Sequence, residues 1–93
     1  RECGGGWIER ADGELNAAWR ELRDEASEES MAALLDEQRA WIAYKDKTCI
    51  VWASGEYGTI GSVLYFPPCR AAVIEARTEE LRSYLEGIRE QTQ

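Results

Sequence analysis

From Trp7 to Ala26 the chain places Ile8, Ala11, Leu15, Ala18, Trp19 and Leu22 at steps of three and four among charged residues. That spacing puts one apolar stripe on an α-helix, and such a stripe must be covered by another element. A lone helix of this length is marginal in water, so the stripe demands helical partners. The chain supplies two. Ser27, followed by Glu28 and Glu29, reads as an N-cap with acidic first-turn residues, which suit the helix dipole. The helix it opens carries Met31, Leu34, Leu35, Gln38, Trp41, Ile42 and Lys45 on one face. In "DEQRAWIAYKDKTC", Asp36 to Cys49, this turns Trp41 and Ile42 inward and leaves Asp36, Arg39 and Asp46 in water. A third stripe follows at Ile74, Thr78, Leu81, Leu85 and Ile88, flanked by Val73 and Tyr84. Pro67 and Pro68 suit the first turn of that helix.

The stretch "IVWASGEYGTIGSVLYFPP" interrupts the pattern with three glycines and a proline pair. It predicts a loop over 54–66 containing a short extended piece, "SVLYF". Gly4, Gly5 and Gly6 are poor helix formers, so residues 1–6 read as a flexible N-terminus, and the polar tail "REQTQ" reads as frayed. The fold class expected is all-α. Helices over 7–26, 28–50 and 67–90 form a small antiparallel three-helix bundle, with an irregular loop between the second and third. At 93 residues the chain reads as one domain, 1–93. In such a hairpin the start of helix one, the end of helix two and the start of helix three share one pole, which gathers Cys3, Cys49 and Cys69.

The formal net charge of −7 disfavours nucleic acid, which is held largely by Lys and Arg on phosphates, and also disfavours anionic membranes. It favours a cationic partner, although an acidic surface also serves solubility alone. No apolar run approaches the roughly 20 residues of a membrane span. The chain opens at Arg1 rather than Met, as expected of a chain whose leader has been removed. With three Cys, no His and no CxxC pair, structural zinc is not called for. One disulfide and one odd cysteine, in an exported context, is the simplest reading.

No catalytic constellation stands out. The commonest general base, His, is missing. The adjacent pairs Glu28/Glu29 and Glu79/Glu80 do not face each other on a helix. "GTIGS" lacks the Lys of a phosphate loop. The reading is a non-enzyme without cofactor or metal. Three polar residues on or beside the stripes, Asn16, Gln38 and Arg77, are candidates for hydrogen bonding to one another or to the loop backbone. Trp19 and Trp41 read as core anchors.

In order and at matching separations, "ADGELNAAWREL", "LLDEQRAWIAYKDKTC", "GTIGSVLYFPPC" and "ARTEELRSYL" resemble the LprI-like lysozyme inhibitor family of bacterial exported proteins and lipoproteins. The match runs from about Cys3 to Leu85. Gln38, Trp41, Ile42, Asp46 and Cys49 form its middle signature, and Cys69 and Arg77 strengthen it. Lys45 stands where the family more often has Arg. Family members often have four cysteines, so Cys3 looks like the second of an N-terminal pair whose first member is not in this chain. The resemblance implies that Cys49 pairs with Cys69 across the loop. Closing the 19 residues between them would contribute about 3 kcal/mol in the chain-entropy account. The rival pairing, Cys3 with Cys49, is also possible in a hairpin. The resemblance further implies a periplasmic or secreted domain that binds and inhibits lysozyme, a basic protein that an acidic partner would attract. The contact expected is the loop, through Glu56, Tyr57, Thr59 and Ser62. The alternative is a cell-envelope interaction module with no lysozyme contact. Neither reading indicates an oligomeric state.

Overall fold

The structure, a computed structural model, describes residues 4–91. Among them there is no strand, and there are four α-helices: α1 (Gly4–Glu25), α2 (Glu28–Lys47), α3 (Gly58–Leu64) and α4 (Phe66–Gln91). A 3₁₀ turn, Ile50–Ala53, lies between α2 and α3. The expected loop is therefore largely helical, and "SVLYF" is not extended. The helix there is held by tertiary contacts, the close approach of Gly61 to Trp52 and the packing of the Trp52 ring on Tyr57 and Tyr65, which the glycine-rich sequence does not announce.

α1 and α4 form the heart of the molecule and run parallel. Trp7 and Arg10 on α1 share a hollow with Pro68 and Ala71 on α4, and Glu25 meets Arg89 at the opposite ends. Ala11, Leu15, Ala18 and Leu22 bury against Ala71, Ile74, Leu81 and Leu85. Three of these eight are alanine, which lets the two backbones approach closely. Thr78 also lies in this interface, and its buried hydroxyl is met by donating to the Ile74 carbonyl at 3.1 Å.

α2 runs against α4 in the opposite direction, with Leu34 near Ile88 and Trp41 near Cys69. It packs in a register shifted from the most apolar one. Met31, Leu34, Gln38, Trp41 and Lys45 line the inner side, and of these only Leu34 is fully buried. Leu35 and Ile42, expected inside, are each 43% exposed. One step round the helix is about 100°, and the register adopted brings Gln38 to Arg77. Trp19 and Trp41 pack on the core from its margin and are partly exposed.

The ends of the helices are set locally. The Ser27 hydroxyl caps α2 by accepting from the Ser30 N–H at 3.1 Å. α2 stops at Lys47, short of the expected residue 50, because Thr48 turns extended and Cys49 is left-handed at φ 72°. Gly4–Gly6 continue α1 toward the N-terminus rather than lying outside it. Cys3 lies outside the described residues. The molecule measures 51 × 27 × 15 Å.

Candidate functional site

The pole expected from sequence is built around a Cys49–Cys69 disulfide, which joins the end of α2 to the first turn of α4. Cys49 is the only non-glycine residue of positive φ among those described. That conformation costs about 1 kcal/mol for a residue with a Cβ, and here the disulfide and burial hold it. A second tie runs beside the bond. Arg70 Nη2 donates to the Thr48 carbonyl at 3.2 Å, and its guanidinium lies 4.7 Å from the Phe66 ring centroid.

On this frame α3 packs against the 3₁₀ turn. Gly61 is buried there, and a Cβ at this position would collide with the Trp52 carbonyl. No other residue type permits so close an approach. The Trp52 ring lies between two tyrosines, with centroids 4.8 Å from Tyr57 and 5.2 Å from Tyr65. These inner contacts fix which side of α3 faces out.

The outer side is apolar. Ile60, Val63 and Leu64 are 63%, 60% and 58% exposed, and Tyr57, which precedes the helix and packs on Trp52, is still 42% exposed at their edge. Ile50, Val51 and Tyr65 add further exposed apolar surface at the same end. Ile60, Val63 and Leu64, with Tyr57 beside them, make an apolar face of about the 300–600 Å² that forms the largest, often functional, patch of an ordinary monomer. Glu56 is the only charged residue between Thr48 and Cys69.

The residues assigned to the loop fare differently. Glu56, Tyr57, Thr59 and Ser62 are all exposed. Ser62, however, turns its hydroxyl back to donate to the Gly58 carbonyl at 3.2 Å, and Tyr57 is braced by Trp52. Ile60, Val63 and Leu64 were missed as surface residues, because the glycines around them read as a loop and "SVLYF" as extended. No local pattern signals them, since tertiary contacts hold the helix.

Charge is distributed against the pole. Residues 44–75 hold Lys45, Lys47 and Arg70 against Asp46, Glu56 and Glu75 and so balance. The excess of acid gathers elsewhere, most densely at the α1–α2 turn. There Glu21, Asp24, Glu25, Glu28 and Glu29 face Arg23, and Arg89 reaches in from α4 to bind Glu25 at 2.7 Å.

The second polar feature lies midway along α2 and α4. Arg77 is 3% exposed. Its Nε donates to Gln38 Oε1 at 2.8 Å and its Nη1 to Glu80 Oε1 at 2.7 Å. Nη2 makes an ion pair with Glu37 Oε1 at 2.8 Å, and the Tyr84 hydroxyl donates to the same carboxylate at 2.9 Å. Burial pushes Glu37 up, but the Arg77 guanidinium and the Tyr84 hydroxyl together hold it below the ordinary carboxylate range. Burial likewise opposes the charge on Arg77, and Glu80 and Glu37 outweigh it, raising its pKa. The Arg77 guanidinium thus faces Gln38, Glu37 and Glu80 at once, with Nη2 meeting Glu37 as an ion pair but making no hydrogen bond. Gln38 and Arg77 meet as expected, whereas Asn16 sits on the exposed side of α1. No cluster of three or more His, Cys, Asp or Glu suited to a metal occurs among the described residues, and no helix there is long and apolar enough to cross a membrane.

Fold and pole together define a small disulfide-tied helical domain that offers an apolar surface at one end. The family model described as lysozyme inhibitor LprI matches residues 1–81. The chain belongs to the LprI lysozyme inhibitor family. Neither the curated proteins nor the solved structures contain a match.

Proposed function

We propose that this protein is a periplasmic or secreted lysozyme inhibitor that binds its target through the disulfide pole. The observation that carries the reading is the exposed apolar side of α3, held beside the Cys49–Cys69 disulfide in a family described as lysozyme inhibitors. Rigid aromatic and aliphatic side chains are effective anchors because little conformational freedom is lost when they are covered. Tyr57, Ile60 and Val63 enter the contact, with Glu56 and Thr59 at its rim and Ser62 supporting the helix. Inhibition is steric and stoichiometric, and no residue of this chain acts chemically on the target.

The acidic surface has a smaller role than the net charge implies. The α1–α2 turn lies at the far end of a molecule 51 Å long, several Debye lengths from the pole at physiological salt, where that length is about 8 Å. Steering by the acidic end therefore adds little to docking at the pole.

The test is lysozyme-driven clearing of a bacterial cell-wall suspension with increasing amounts of the protein, at low and moderate salt. The expected result is dose-dependent inhibition that changes little with salt and is lost in Ile60→Glu. Inhibition that collapses with salt and survives Ile60→Glu would move the contact to the acidic end. No inhibition of any lysozyme class would favour the alternative, a cell-envelope interaction module.

A further inference from the structure

The geometry points to pole-to-pole self-association: two copies pair through the outer side of α3, covering Tyr57, Ile60, Val63 and Leu64. The inference does not depend on the lysozyme reading, because it concerns what covers this surface when no target is present.

Three observations favour a second copy. First, Ile60, Val63 and Leu64 lie on one side of a single short helix and are each more than half exposed, an apolar face of the size that is often functional. Two faces of about 300–600 Å² each bury at most the roughly 1,200 Å² in total at which specific interfaces begin. A weak, concentration-dependent dimer is the form expected at that size. Second, the face is self-compatible in charge. Like charges oppose each other wherever two identical acidic surfaces meet, but Glu56 is the only charge from Thr48 to Cys69. Third, the arrangement best accommodates the net charge of −7. Joining the neutral ends of two molecules 51 Å long sets the acidic α1–α2 turns at opposite extremes, well beyond screening distance. Side-by-side packing would bring those turns together.

The contact is isologous, so one substitution alters both halves of it. A dimer formed this way covers the surface assigned above to lysozyme, and the two associations exclude each other.

The experiment is sedimentation equilibrium from low micromolar to millimolar protein, at moderate salt, in a Cys3→Ser background so that an intermolecular disulfide cannot imitate the dimer. The apparent mass is expected to rise from 10.5 kDa toward twice that value as concentration increases. Val63→Glu is expected to weaken association at least tenfold. Its far-UV spectrum and melting temperature should stay unchanged, since the side chain is 60% exposed. A monomer throughout the range would overturn the inference, as would a dimer indifferent to Val63→Glu. A monomer that instead co-sediments with neutral phosphatidylcholine vesicles, and loses this with Val63→Glu, would assign the face to lipid and equally overturn it. Lysozyme is in none of these samples, so the outcome leaves the inhibitor reading to its own test.

Discussion

Arg77 shows how one buried charge organises its surroundings. It meets three partners on two helices, and removing it exposes a cavity and leaves Gln38 without its donor. Stripping one member from a buried ionic group costs about 3–5 kcal/mol. Glu37 and Glu80 are half exposed here and can take up water, so Arg77→Ala is expected near 3 kcal/mol by urea denaturation. Glu37 makes a second prediction. Its folded pKa lies below the ordinary 4.5, so its contribution is present in full above that value and lost as pH falls through the folded pKa. Melting temperatures of wild type and Glu37→Gln should therefore converge below about pH 4.5. The acid limb should persist in the variant, because Glu25 is also held low, chiefly by its hydrogen bond from Arg89. Parallel curves from pH 7 to pH 3 would contradict the assignment. The link between Gln38 and Arg77 was legible in the sequence, because both interrupt apolar stripes. Glu37, Glu80 and Tyr84 were not, since nothing in a helical pattern distinguishes a carboxylate beside a buried Arg from one in water. Asn16 misled for a related reason: a polar residue next to a stripe lies inside or outside according to a rotation of a few tens of degrees.

Among elements, the long helices were readable because each buries a stripe several turns long. α1 and α4 follow their patterns closely, from Leu15 and Leu22 to Ile74, Leu81 and Leu85. α2 was readable as a helix but only partly in its facing: Gln38 meets Arg77, while Leu35 and Ile42 lie on the exposed side. α3 was the element lost. Its seven residues include two glycines, and it is stabilised by contacts that no local pattern contains: the Gly61–Trp52 approach, the three-ring cluster and the disulfide. The disulfide should therefore act locally. Replacing Cys49 and Cys69 with Ala is expected to cost about 3 kcal/mol. The near-UV signal of Trp52 and its tyrosines should fall while most far-UV helicity stays. Complete loss of helicity at room temperature would instead mean that the bond holds the α1–α4 core.

At the scale of the whole molecule, an acidic end and a neutral apolar end lie at opposite poles. The sequence shows both compositions, but only the fold separates them, and that separation makes the docking surface testable. The direct measurement is amide hydrogen exchange along the chain with and without excess lysozyme, at a protein concentration low enough to keep it monomeric. The account predicts new protection confined to residues 50–65, with exchange at Glu21–Glu29 unchanged. Protection centred on the α1–α2 turn, or none anywhere under conditions where lysozyme is inhibited, would contradict it.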